Sequence, residues 1–73
     1  MRKDRISIAE LRTAVNGTMH GRFRDAIVTV HRDDDGAWLA TAWPDDGRAS
    51  MGETAERPED ALEALLDRLE ARI

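Results

Sequence analysis

The side chains able to act as acids, bases or nucleophiles are few in this sequence and lie far apart. His20 and His31 are the two histidines, and neither stands at a recognisable spacing from a nucleophile or a carboxylate that could position it. Cysteine is absent, and the five glycines are scattered rather than grouped into a phosphate-binding loop. We therefore predict no catalytic residues and no enzymatic activity, with a small ribonuclease that uses His31 as the alternative.

Three consecutive carboxylates, Asp33 to Asp35, invite comparison with a calcium loop. If Gly36 is set at the invariant sixth position of an EF-hand, His31 falls at the first position and Ala42 at the twelfth, where Asp and Glu are required. The pattern does not fit. We predict no metal site and no cofactor.

The formal net charge of −4 is unevenly distributed along the chain. Residues 1–24 have six basic side chains against two acidic ones, whereas residues 25–73 have five arginines against thirteen Asp and Glu. An acidic body with a basic, flexible arm over residues 1–5 indicates a partner that recognises charge. An ordinary solvated surface is the alternative.

A row of acidic side chains follows one side of the last predicted helix at i, i+4 spacing. Like charges at that spacing destabilise a helix, so such a row indicates contact with a basic partner, with an ordinary solvated helix face as the alternative. A tryptophan would supply the apolar anchor of that contact. The predicted partner-binding residues are Trp38, Trp43, Glu59, Glu63, Asp67 and Glu70.

The N-terminal part of the chain has helix signals. Ser7 and Glu10 have the spacing of a capping box, Ile6 and Leu11 that of a hydrophobic staple, and Asn16-Gly17 is typical of a helix end. These signals predict a helix over residues 7–16. Residues 18–24 show no period and are predicted to be a loop.

The remaining chain predicts three strands and a helix, because β-branched and aromatic runs alternate with Asp-Gly turns and end in a leucine-rich period of 3.6. The predicted elements are Ala26–His31, Ala37–Trp43, Arg48–Gly52 and the helix Pro58–Ile73. The expected fold is α+β in the order α-β-β-β-α, a three-stranded antiparallel meander with two helices on one face. The other face would carry one tryptophan and meet solvent, a second copy or a partner.

Several short motifs follow one another in a familiar order. They are Val28-Thr29-Val30, Asp34-Asp35-Gly36, Trp38-Leu39-Ala40, Trp43-Pro44-Asp45, Gly52-Glu53-Thr54 and Ala61-Leu62-Glu63-Ala64-Leu65. Over residues 26–70 the chain resembles the N-terminal domain of HicB-type antitoxins. The resemblance implies an acidic, non-enzymatic module that masks a small basic ribonuclease toxin.

The chain also departs from that family. Asp46-Gly47 replaces the usual Pro-Gly after Pro-Asp, and Arg57-Pro58 looks like a two-residue insertion before the helix. The predicted helix over residues 7–16 is additional. The DNA-binding domain of the family has no counterpart in these residues, which puts operator binding in doubt.

Together these features predict a single small domain over residues 1–73 that binds a basic protein partner, as an antitoxin-like or phage-type inhibitor. The alternative is a nucleic-acid-binding or transcription-regulatory protein that uses the basic arm. Acidic residues at the start of the last helix would repel phosphate, so nucleic acid is not the expected partner. We expect a cytoplasmic protein without a membrane segment, and homodimerisation would enlarge its modest core.

Overall fold

The computed structural model describes residues 5–71 and contains one antiparallel sheet covered on one face by one α-helix. The five strands lie in chain order and each pairs with the next, which makes the sheet a simple meander. The strands are β1 (Arg12–Thr13), β2 (Met19–Phe23), β3 (Ala26–Arg32), β4 (Trp38–Pro44) and β5 (Met51–Ala55), and the helix is α1 (Pro58–Ala71).

The β3–β4 hairpin forms where its turn signal predicts it. The Asp33 carboxylate accepts hydrogen bonds from the backbone N–H of Asp35 at 2.9 Å and of Ala37 at 3.0 Å. Gly36 adopts a φ of 87°, a left-handed conformation that glycine reaches without strain. The strand predictions here are confirmed to within a residue at each end.

The structure contains the predicted last strand and helix, but the strand is shifted along the chain. β5 begins and ends three residues later than Arg48–Gly52, because Arg48 is held in the preceding turn by a backbone hydrogen bond to the Asp46 carboxylate at 3.1 Å. Pro58 begins α1 as predicted, and Arg57 accepts the first helical hydrogen bond from Ala61 at 3.0 Å. Ile73 lies outside the described residues.

The core lies between α1 and one face of the sheet, with buried residues from β2, β3 and β4 and partly buried ones from β5. Alternate strand residues meet the leucine side of the helix, and alanines in the middle of β4 let the helix approach the sheet closely. The buried apolar residues are Phe23, Ala26, Val28, Val30, Ala40, Ala42, Ala61, Leu62, Leu65 and Leu66. The second face of the sheet has no element packed on it in residues 5–71.

The predicted α-β-β-β-α fold is wrong. In place of the helix over residues 7–16 there is one 3-10 turn, Ile8–Glu10, followed directly by β1. The predicted loop over residues 18–24 contains β2. The domain is therefore a sheet-rich domain with five strands and one helix, rather than an α+β domain with three strands and two helices.

Part of the predicted capping box forms at the N-terminus, but it caps only a single 3-10 turn. Glu10 accepts from the Ser7 N–H at 2.9 Å, which is the return half of the predicted capping box. Beyond it, Asn16-Gly17 forms the turn of the β1–β2 hairpin, and Val15 is fully exposed instead of lying on an apolar helix face. Asn-Gly serves hairpins as well as helix ends, so the motif was ambiguous.

Gly21 interrupts the alternating pattern that would have predicted β2 from the sequence. Met19 and Phe23 face the core with Gly21 between them, so the period of two is broken by a residue without a side chain. Leu11 fills the space instead: its Cδ2 atom lies 2.5 Å from the position that a Cβ at Gly21 would take. The glycine thus lets the segment before β1 cover the sheet.

We expect Gly21→Val to lower the free energy of unfolding by about 1 kcal/mol, because the Leu11 side chain must move out of its place on the sheet. Urea unfolding monitored by circular dichroism measures it. His20→Val on the exposed side of the same strand is the matched control and should change stability little. Equal losses of stability in the two variants would show that the packing of Leu11 does not require the space beside Gly21.

Candidate functional site

One end of the sheet collects most of the uncompensated negative charge. The β3–β4 hairpin and the β5–α1 connection lie at the same end, because β4 runs antiparallel to both of its neighbours. We call this end, with its carboxylates and two arginines, the acidic end. It comprises Asp33, Asp34, Asp35, Glu56, Glu59 and Asp60, with Arg32 and Arg57. Six carboxylates against two guanidinium groups give −4, whereas all of the described residues 5–71, with fourteen Asp and Glu and eight Arg, sum to −6.

Most of these carboxylates are exposed and unpaired within the described residues. Asp34, Asp35, Glu56 and Asp60 are exposed and form no ion pair with any residue of the range 5–71. Glu59 forms an ion pair with Arg57 at 2.5 Å. The hydrogen bond that its carboxylate accepts from its own backbone N–H, and the one that it accepts from Arg57, lower the pKa of Glu59 below its usual value. Glu59 therefore stays ionised at neutral pH.

Trp38 lies at the same end. It begins β4 on the helix side of the sheet, directly opposite Ala55, and is partly buried against the core. The guanidinium of Arg32 stands 5.9 Å from the centre of its ring, within cation–π range. An aromatic surface thus borders the acidic hairpin and the start of the helix.

A groove continues from this end along the helix. It has a volume of about 390 Å³ and lies between residues 5–8 and α1. Ile6, Ile8, Leu62 and Leu66 contribute apolar lining, and Glu59 and Glu63 contribute carboxylates. The arrangement suits an apolar side chain that is flanked by a basic one.

Carboxylates at the opposite end are neutralised within the molecule. Arg48 contacts Asp46 at 2.8 Å and Asp25 at 3.3 Å, and Asp45 is paired with Arg22. The hydrogen bond from the Arg48 side chain lowers the pKa of Asp46 below its usual value. That end carries no comparable surplus of negative charge.

The predicted acidic row along α1 is divided in two by a residue that sequence analysis placed in a flexible arm. Arg5 binds Glu70 through two hydrogen bonds of 2.7 and 2.8 Å and Asp67 through one of 2.5 Å, and its side chain is only 11% exposed. These contacts raise the pKa of Arg5 above its ordinary value. Glu59 and Glu63 remain next to the acidic end, whereas Asp67 and Glu70 already hold a cation. Residues 1–4 of the predicted arm lie outside the described residues.

The two tryptophans lie on opposite faces of the sheet. Trp43 stands beside Ile27 on the face without the helix, and the two side chains are 50% and 44% exposed. The indole N–H of Trp43 donates to the Thr29 hydroxyl at 3.0 Å. Only Trp38 is therefore brought together with the acidic end.

Both histidines lie on the same face as Trp43, since His20 pairs with Thr29 and His31 stands two residues further along β3. Within residues 5–71 no group of three or more His, Asp or Glu side chains could hold a metal ion. The absence of a catalytic role stays a prediction.

Comparison of the chain with protein-family models, with curated proteins and with solved structures finds no match. The resemblance to HicB-type antitoxins accordingly stays a prediction. Among residues 5–71, no helix has the length and apolar character that crossing a bilayer requires.

Proposed function

We propose that this chain is a non-enzymatic binding domain that attaches to a basic surface of another protein through its acidic end. The observation that carries the proposal is the concentration of −4 of the −6 formal charge of residues 5–71 at one end of the sheet, next to Trp38 and the groove. Charges left unpaired by the fold are free to attract a partner of opposite sign.

Charge and apolar surface have different parts in this proposal. The exposed carboxylates of Asp34, Asp35 and Glu56 raise the association rate and select a basic partner, and their effect weakens as salt screens them. Affinity comes from apolar groups that leave water, here the partly buried Trp38 and, in the groove, the partly buried Ile6 and Ile8. A basic loop with one apolar or aromatic side chain is the expected complement.

We further propose that binding masks the partner, as an antitoxin masks a small basic ribonuclease. Support comes from the order of elements over residues 26–71, in which β3, β4, β5 and α1 follow one another as the resemblance to HicB-type antitoxins implies. The acidic end would then cover cationic residues that the ribonuclease needs for RNA. The β1–β2 hairpin is an addition to that plan.

Partner capture followed by titration tests the proposal. Proteins retained by the immobilised chain at low salt and released by rising salt are identified, purified and titrated calorimetrically against the chain. Asp34→Lys combined with Glu56→Lys is expected to weaken binding more than tenfold, since two attractive charges become repulsive (about 1.4 kcal/mol for each factor of ten). RNA cleavage by a captured ribonuclease should cease when the wild-type chain is added.

The matched control carries the same charge change at the other end of the sheet. Asp25→Lys combined with Asp45→Lys should weaken binding only slightly, because these carboxylates face arginines of the chain itself. Equal losses in the two double variants would mean that net charge alone matters and would refute a site at the acidic end. Undiminished binding by the first variant would refute it as well.

A further inference from the structure

The face of the sheet that α1 does not cover has the opposite electrostatic character from the acidic end. We call it the open face. Strand pairing places Arg22 beside Ile27 and Trp43 in one row, and Arg12 beside His20 and Thr29 in the next. None of the described strand residues on this face is a carboxylate, although the chain as a whole has a net charge of −4.

Trp43 is held in place on this face. Its N–H group is satisfied by the Thr29 hydroxyl at 3.0 Å, so the indole leans across β3 and needs no further hydrogen-bond partner. Half of its surface nevertheless remains exposed, next to the exposed Ile27. A fixed indole with an exposed ring is suited to stacking against a planar group.

The arginines stand within reach of a ligand that stacks on this ring. Arg22 lies two strands away from Trp43 in the same row, about 10 Å across the sheet. Its pairing with Asp45 joins two exposed side chains and is therefore weak. Arg12 is exposed and forms no ion pair with any residue of the described range.

We propose that the open face binds single-stranded nucleic acid, with one base stacked on Trp43 and the adjoining phosphates held by Arg22 and Arg12. Aromatic rings and basic side chains on a sheet are the combination that recognises unpaired bases together with their backbone. A duplex hides its base faces within the stack, so a single strand is the preferred form. A second copy of the chain is the less suitable occupant, because it would place the exposed Arg12 and Arg22 of one open face against those of another, with the Asp45 carboxylate beside Arg22 offsetting them only in part.

Fluorescence anisotropy of labelled oligouridylate and oligothymidylate, titrated with the full chain at low salt, tests this proposal. We expect saturable binding, quenching of tryptophan fluorescence, and weaker binding of a duplex of the same length. Two phosphate contacts predict that the logarithm of the binding constant falls with the logarithm of salt concentration with a slope of about −1.4. Arg12→Ala should reduce that slope by about half.

Trp43→Ala is expected to lower the affinity for the single strand about tenfold, whereas Trp43→Phe, which keeps an aromatic ring, should restore most of it. Arg68→Ala removes a half-exposed arginine from α1, on the covered side of the sheet, and is the control that should leave binding unchanged. Circular dichroism verifies that each variant is folded, and Arg12→Ala tests the same face should Trp43→Ala prove unstable.

Absence of wild-type binding at low salt would overturn the proposal. Binding that is insensitive to both Trp43→Ala and Arg12→Ala would also overturn it. So would a dimer, seen by sedimentation, that Trp43→Ala dissociates and that oligonucleotides do not disrupt. The outcome is distinguishable from that of the protein-binding proposal, since neither tested residue belongs to the acidic end.

Discussion

Truncation of Leu65 to alanine is expected to lower the free energy of unfolding by about 3 kcal/mol. Leu65 is completely buried and lies in the middle of the helix face that packs mainly on β4 and β5. Its removal would leave a cavity that the rigid sheet cannot close. A domain of this size has about 4–11 kcal/mol of stability in total, so the variant would lose a large part of it.

Urea or thermal unfolding followed by circular dichroism measures the loss. Val15→Ala is the control, because the side chain of Val15 is fully exposed in the β1–β2 turn and its truncation should be nearly neutral. Val15→Ala also distinguishes the β1–β2 hairpin from the predicted helix over residues 7–16, because that helix would have placed Val15 on its apolar face. A marked loss in Val15→Ala would contradict the hairpin.

Replacement of Arg5 by alanine is expected to destabilise the domain by about 2 kcal/mol. The Arg5 side chain is nearly buried and joins the N-terminal segment to Asp67 and Glu70 near the end of α1. Without it, two carboxylates three residues apart on the helix would lose the guanidinium that lies between them. Ile6 and Ile8 would also lose the contact that holds their segment on the helix.

Arg5→Lys is the informative companion, because lysine keeps the charge but cannot reproduce the forked contact and should recover only part of the loss. Arg57→Ala breaks an ion pair whose two partners are largely exposed, and it should change stability little. If Arg5→Ala were as harmless as Arg57→Ala, the N-terminal segment would not be held by this contact.

Elements with strong local signals were predictable from the sequence. Pro58 and the leucine period define α1, and the Asp-Asp-Asp-Gly run defines the β3–β4 hairpin, because each signal acts within a few residues of chain. The acidic character of the hairpin and of the helix start could be recognised in the same way. Their position at one end of a single sheet could not, since it requires the strand order.

The structure of the N-terminal half could not be predicted from short stretches of the sequence. Residues 7–16 satisfied helix rules, yet the chain forms β1 and β2 because Met19 and Phe23 can complete a sheet face and Leu11 can occupy the space above Gly21. Burial of that apolar surface outweighs a capping preference of about 1 kcal/mol. Tertiary packing decided the element type.

By itself the sequence determined the last helix, the central hairpin and the acidic balance of the chain. Tertiary structure alone decided which tryptophan faces the helix, which carboxylates are neutralised and which face of the sheet is basic. The reason is separation along the chain: Arg5 meets Glu70 across 65 positions, and Trp43 meets Thr29 across 14. Such pairs depend on strand register and helix placement, so a charge becomes a surface feature only after the chain has folded.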